Sequence, residues 1–555
     1  MALIDDIKKV IAGEVDDSRG VREAMSRDAS LYKVTPELVV YPKNAQDISA
    51  LVRLVKQKKE HDSASHISLT PRAAGTDMSG GPLTDSIVVS TTEHLNKLRE
   101  VGADYAIVEP GMFFRDFDRE TKKRGLELPS YTASREINTL GGMVGNDSGG
   151  EKNLKYGKTA RYVESLDVVL GDGEVHTLKN LMGEELRAKL IENTYEGELY
   201  RRMSKLLADP ANATTVKAST PIVTKNSSGY PLWEVGDGLS SLNLCRLMVG
   251  AQGTLGIVTN IRFKLVRPKP YAAMTVLFLD KLSDLGVIVP EVLAHDPDSF
   301  ESYDDHTFGL AARYFPEFAA QMKSSMFKVG ISFLPELFML VTGGIPKLIL
   351  MVEFRADTQD EALSRARMLL VDLKKKRPNV RIRVAESEEK AKKYWTIRRE
   401  SFNLLRKKVR GKRTAPFIDD FVVPPSALSD FLPKLEKLLE GHDLIYTVAG
   451  HVGDGNFHII PLIDPARPDA ASLIDMLSHS VYDLVLSYKG SISGEHNDGI
   501  VRTQYVGKMF GAPMQDLFRQ VKEIFDPLDI FNPGKKVATA TSVRLSQFDF
   551  PGTKK

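Results

Sequence analysis

Three glycine-rich segments in the first half of the chain constrain its fold more than any other feature. The first reads PRAAGTDMSGG from Pro71, directly after the strand-like run 67–70. The second reads TLGGMVGNDSGG from Thr139, and the third reads GAQGTLGIV from Gly250. Small residues let backbone N–H groups approach an anion closely, and Ser and Thr hydroxyls add donors. A single segment of this kind reads as a tight turn. Three in one half of a chain point to a ligand that carries a diphosphate. Two common nucleotide signatures fail here. The run from Gly453 through Gly455 places His458 where a dinucleotide fingerprint needs its third glycine. Gly157-Lys158-Thr159 looks like the end of a P-loop, but Lys152 stands where that loop begins with glycine.

Around these segments, β-branched runs at 37–41, 86–90 and 166–170 alternate with helical periodicity at 45–57 and 113–124. Pro268 and Pro270 mark a boundary. Beyond it, 271–279, 347–354 and 380–385 read as strands, and 361–375 and 391–408 as helices. The pattern predicts an α+β chain. A polar helical segment covers 1–34, a cofactor-binding domain 35–267, an α/β cap 268–517, and a segment over 518–555 returns to the first domain. A length of 555 residues is too great for one core.

The 75 basic residues nearly cancel the 73 acidic ones, so no global charge draws the chain to nucleic acid. Cys245 is the single cysteine, which excludes a disulfide framework, a Cys-rich zinc site and an iron–sulfur cluster held by this chain. The first residues lack the apolar core of a signal peptide. The most hydrophobic stretch, 327–354, is broken by Pro335, Glu336, Gly343, Gly344, Pro346 and Lys347 and does not supply a spanning helix. It reads as core strands or as a surface loop that docks on a membrane. The expectation is a cytoplasmic protein with peripheral contact at the inner membrane face.

The second half carries the reactive side chains. His451 and His458 flank Val-Gly-Asp-Gly-Asn-Phe. Two glycines in so short a run disfavour a helix and favour a strand–turn–strand that folds both imidazoles toward one point. Glu495-His496 follows the apolar run 481–488. Two histidines and a carboxylate form a divalent-metal set with a position left open, although a lone histidine pair reads more readily as ordinary hydrogen-bonded residues. Arg398 can clamp a carboxylate with two parallel hydrogen bonds, against a solvated basic helix suggested by Lys392, Lys393 and Lys407. Trp395 reads as core. Asp419-Asp420, ahead of Phe421, reads as a strand edge without chemistry.

Taken together, 71–81, 139–150 with 155–159, and 253–257 resemble the FAD domain of the vanillyl-alcohol oxidase superfamily, the PCMH type. The segments 450–458, 494–496 and 532–535 resemble the branch that holds D-lactate dehydrogenase, D-2-hydroxyglutarate dehydrogenase and the FAD subunit of glycolate oxidase. The resemblance covers roughly 28–535 and implies a two-part FAD domain with an α/β substrate cap. It implies that Pro71, Arg72, Ala73, Ala74, Gly75, Thr76, Asp77, Ser79 and Gly80 hold the FAD pyrophosphate. Gly141, Gly142, Gly145, Asn146, Ser148, Gly149, Tyr156, Gly157, Gly253, Gly256, Ile257 and Asn532 would contact the rest of the cofactor. The flavin is expected to be non-covalent, because Thr76 and Asp77 stand where some relatives carry the linking histidine. Ala73, Asp77, Asp147, Gln252 and Asn497 depart from the family pattern.

The resemblance further implies that His451, His458 and Glu495 hold a divalent cation, zinc or manganese, and that Arg398 binds the substrate carboxylate. His496 becomes the base, with an ordinary pKa of ~6.5 that suits neutral pH and a nearby cation to keep it neutral. As neighbours in an extended segment, Glu495 and His496 should point to opposite sides. The implied reaction takes a small D-2-hydroxy acid, similar to D-lactate, to its 2-oxo acid, with hydride passing to flavin N5. Electrons then go to a quinone or a separate electron-carrier protein. Two other readings are a non-redox flavoenzyme similar to alkyldihydroxyacetone-phosphate synthase and an FAD-binding subunit of a larger oxidase.

Overall fold

The computed structural model describes residues 3–62, 64–307, 309, 344–408 and 411–538; of 400–408 it describes the backbone alone. The first lobe contains two sheets. In one, Leu38–Tyr41, Ile87–Ser90 and Leu69–Arg72 pair in parallel, and Glu14–Asp16 adds an antiparallel edge. Helix Ala45–His61 covers it, started by the Asn44 side chain, which accepts a hydrogen bond from the Asp47 N–H. Ile48, Leu51, Val52 and Val55 recur at three- and four-residue steps and form the buried stripe of that helix.

The second sheet is antiparallel, in the order Leu98–Val101, Tyr105–Val108, Ile257–Lys264, Val163–Val169, Val175–Met182, Ser241–Asn243. Along Ile257–Lys264, Ile257, Thr259, Ile261 and Phe263 are buried while the residues between them are more exposed. That period of two fixes one face toward the core. Helices Phe114–Lys122 and Tyr195–Ala208 pack against this sheet.

The second lobe is built on a seven-stranded sheet and also carries a two-stranded sheet of Arg413–Thr414 and Leu462–Ile463. Its two longest strands, Tyr271–Leu279 and Leu348–Ala356, pair in antiparallel register from Tyr271↔Ala356 to Leu279↔Leu348. Both faces of these strands are covered. Ala273, Leu277 and Leu279 meet helices Leu285–Leu293, Gln359–Lys376 and Leu428–Leu439. Met274, Val276 and Phe278 meet Tyr394, Trp395 and Ile397 of helix Glu388–Lys408 on the other side. Each fully buried side chain of this size contributes ~1.5–3 kcal/mol, so this two-sided strand pair anchors the lobe. Trp395 is core, as its position suggested. Of the hydrophobic stretch, 327–343 lies outside the described residues, and Leu348 to Phe354 sits in this buried strand. Among the described residues no helix is long and apolar enough to cross a membrane.

The chain returns to the first lobe earlier than position 518. Helix Gly499–Phe525 runs across that position and breaks helical geometry at Gly511. Its Ile500 and Val501 join the cap core, whereas Val506, Phe510 and every later buried apolar residue of the helix join the core of the second sheet. The change of partner is a matter of which side chains the helix turns inward, which punctuation by Pro and Gly does not reveal.

Candidate functional site

A cavity of about 630 Å³ lies between the lobes. The helix Leu140–Asn146 and the loops after Leu69–Arg72 and before Ile257–Lys264 form one wall. Pro71, Arg72, Ala73, Ala74, Gly75, Thr76 and Asp77 line it, as do Gly141, Gly142, Gly145, Asn146, Ser148, Gly149, Gly253 and Gly256. Gly253 has φ +70°, and a β-carbon there would lie 2.2 Å from Pro71 Cγ. Only glycine permits that loop-on-loop approach. A β-carbon on Gly145 would meet nothing within 4 Å. The wall therefore offers bare backbone and open space, which suits a flat ligand with a diphosphate.

Six predicted cofactor residues do not line the cavity: Ser79, Gly80, Tyr156, Gly157, Ile257 and Asn532. Their hydrogen bonds show why. Asn532 accepts from Thr70 and donates to the Gly81 and Gln252 carbonyls, lacing the first segment to the third. Asp77 accepts from Ser79 Oγ, the Gly81 N–H and Asn146 Nδ2, so its charge braces the loops. Arg72 donates to the Met25 and Arg27 carbonyls and ties down the leading segment, so its guanidinium is engaged before any phosphate arrives.

Strand register builds the opposite wall. Val448–His451 turns through a 3-10 turn at Val452–Asp454 and a left-handed Gly455 into Asn456–Ile459. Ala449 pairs with His458 and His451 with Asn456, so His451, Ala449 and His458 share a face. Tyr303 pairs with Ala449 on the other side, which brings Glu301, two residues before it, onto the same face. Nε2 of His451 and Nε2 of His458 each lie 3.3 Å from Oε1 of Glu495. The three proposed metal ligands thus converge.

Glu495 and His496 do not diverge as strand neighbours would. They sit in a bend, both line the cavity, and their donor atoms lie within 4.8 Å of one another and of His458. Asp420 makes that bend. Its backbone is left-handed at φ +66°, and its Oδ2 accepts from the Glu495 N–H at 2.9 Å, the His496 N–H at 2.7 Å and Ser493 Oγ at 2.8 Å. A carboxylate so occupied is a brace, although it is close enough to be a ligand. Asp419 faces the other way. Its Oδ1 lies 3.2 Å from His458 Nδ1 and its Oδ2 2.6 Å from His496 Nδ1. Both imidazoles therefore direct Nε2 away from Asp419. The Asp419-Asp420 pair, read from sequence as a strand edge without chemistry, is the element that orients the site; nothing local in the sequence signals it.

Three more charged residues had no clear signal. Lys225 is fully buried and donates to Glu495 Oε2 at 3.1 Å and Asn456 Oδ1 at 3.2 Å. Glu301 places Oε1 2.7 Å from His451 Nδ1, while its Oε2 pairs with Arg398. Arg399, beside Arg398, holds Glu151 of the first lobe through two nitrogens and stacks on Trp395. Burial pushes the Glu151 carboxyl up, but Arg399 and Arg135 outweigh it and hold it down to about 2.

Burial penalises charge throughout the cluster, yet opposite charges prevail. Burial pushes His458 down, but Asp419 and Glu495 carry it up to about 10. Burial pushes His496 down as well, but Asp419 and Asp420 carry it up. Glu495 is held well below the usual carboxylate range, with burial outweighed by Lys225 and His451. The donor set fits a divalent cation: two Nε2 atoms and a carboxylate oxygen converge, and each histidine's second nitrogen faces a carboxylate.

Two family descriptions match the chain: "FAD binding domain" over 36–179 and "FAD linked oxidases, C-terminal domain" over 269–536. The chain belongs to the FAD-linked oxidase family. D-2-hydroxyglutarate dehydrogenase of Pseudomonas putida is 28% identical over 94% of the chain, and the chain spans about half of that protein's length, 50%. Glycolate oxidase subunit GlcD of Bacillus subtilis is 27% identical, covering 96% of the chain and 95% of the subunit. The 4-ethylphenol oxidase of Gulosibacter chungangensis shares the fold, with TM-score 0.67 at 15% identity over 97% of each chain. The FAD-linked oxidase is thus a two-part PCMH-type FAD domain with a cap.

Proposed function

We propose that this FAD-linked oxidase converts a small D-2-hydroxy acid, similar to D-lactate, to the 2-oxo acid with non-covalent FAD. The observation that carries this reading is that Glu495, His451, His458 and the Asp419–His496 pair open onto the same cavity as the glycine wall. When bound, FAD supplies a hydride acceptor at N5, and a divalent cation, zinc or manganese, polarises the substrate hydroxyl. His451, His458 and Glu495 hold that cation. His496 takes the hydroxyl proton at Nε2, because Asp419 faces Nδ1. Arg398 binds the substrate carboxylate; its Nε is buried with no hydrogen-bond partner, so a donor is left for an acid.

Electrons leave to a quinone or a separate carrier protein. The single cysteine, Cys245, motivates this, since one thiol cannot hold an iron–sulfur cluster. A cytoplasmic chain in peripheral contact with the inner membrane face would reach a quinone. The deciding experiment is an anaerobic screen of D- and L-2-hydroxy acids with the cation supplied. Flavin bleached by a D-acid and left yellow by its L-enantiomer is the expected result. Flavin that no 2-hydroxy acid bleaches overturns the reading and favours the non-redox flavoenzyme similar to alkyldihydroxyacetone-phosphate synthase.

A further inference from the structure

We propose that Glu301 is a positioning residue shared by the two halves of the substrate site, linking cation binding at His451 to carboxylate binding at Arg398. This rests on the proposed roles of those two residues and goes beyond them. Glu301 lies on strand Ser299–Asp304 at 1% exposure, and its two oxygens face different partners. Oε1 lies 2.7 Å from His451 Nδ1, and Oε2 pairs with Arg398.

The division follows from chemistry. A histidine that binds a cation through Nε2 carries its proton on Nδ1 and needs an acceptor there. Glu301 Oε1 is that acceptor. Through Nη2 the same carboxylate holds Arg398 by one edge of its guanidinium. Nε remains without a partner in a residue whose side chain is only 8% exposed. Removing the Arg398 charge leaves the whole Glu301 carboxylate to His451. Oε2 has no hydrogen-bond partner and holds Arg398 by charge alone, so replacing the carboxylate by an amide removes that attraction and offers His451 Nδ1 at best a neutral acceptor.

Glu301→Gln tests the link, read by cation titration and by the dissociation constant of an unreactive 2-oxo acid from the flavin spectrum. Both affinities are expected to fall, the cation's by about 10- to 100-fold, the usual effect of altering a ligand's hydrogen-bond partner. KM should rise more than kcat falls. Either affinity staying at the parent value overturns the sharing of Glu301. If the variant does not fold, Arg398→Met decides: cation binding should tighten by about threefold or more, because a nearby positive charge is gone. Unchanged or weaker cation binding in Arg398→Met overturns the link. His458→Ala separates this outcome from failure of the site itself. If His458→Ala keeps the cation, the metal reading is wrong; if it loses the cation while Glu301→Gln does not, only the Glu301 link is wrong.

Discussion

On the FAD-domain side of the cavity the working surface is largely backbone: Gly141, Gly142, Gly145, Gly149, Gly253 and Gly256 line it, and of the carboxylates there Asp77 is hydrogen-bonded back into the loops while Glu151 is held by Arg399. On the cap side the working surface is charge: Glu301, Asp419 and Glu495 alternate with His451, His458, His496 and Arg398. The first wall comes from three short segments, each of which can be read where it stands. The second is assembled from residues far apart in the chain, and none of its charges is stable in burial without its neighbours. Recognition by removing side chains and recognition by pairing them fail in different ways, and mutation separates the two.

The largest expected effect is on the backbone wall. Gly253→Val puts a side chain into Pro71 and forces a left-handed backbone on a β-branched residue, so the purified protein should retain almost no flavin. Gly145→Ala, whose β-carbon meets nothing in the protein, should keep the fold and only weaken FAD. Flavin-to-protein ratios at parent level in Gly253→Val would show that the loops do not need their contact. Flavin that remains in the pellet after acid precipitation would show that the bond to it is covalent.

Next comes the charged wall. His496→Ala should keep cation and FAD but reduce its flavin ~10²- to 10⁴-fold more slowly, the usual worth of a positioned base. Rapid-reaction traces beside cation content check this, and loss of the cation in that variant would make His496 a ligand. Asp419→Asn should act more mildly and on both histidines. A cation affinity lower by about 10- to 100-fold and slower flavin reduction are expected. Loss of one without the other would divide the His458 and His496 contacts.

The smallest effect is a pH dependence at the back of the first loop. Burial, and then the Asp77 charge, push the Asp28 carboxyl up to about 7. Its Oδ2 accepts from the Gly80 N–H. In the unfolded chain the group titrates near 3.8. The folded state therefore binds the extra proton between about pH 4 and 7, and stability falls as pH rises through that window. The melting temperature of the parent relative to Asp28→Asn should drop from pH 4 to 7 and level off above. A difference that does not change with pH would remove Asp28 from this role.

What the sequence determined by itself is whatever depends on nearest neighbours. Glycine spacing marked the loops of one cavity wall, a continuous apolar run placed Tyr271–Leu279, and the glycines of 450–458 announced the turn that brings His451 and His458 together. Asn532 and Ser79, expected as cofactor contacts, lace the loops to one another, since a hydrogen-bond partner is not visible in a motif. Tertiary structure alone decided the charges. Asp419 reads as a strand edge until His458 and His496 meet it, and nothing local marks Lys225, which the fold sets against Glu495, or Glu301, which it sets against His451. A buried ion needs a partner within a few ångströms, whatever the distance along the chain, and only the folded sheet supplies that distance.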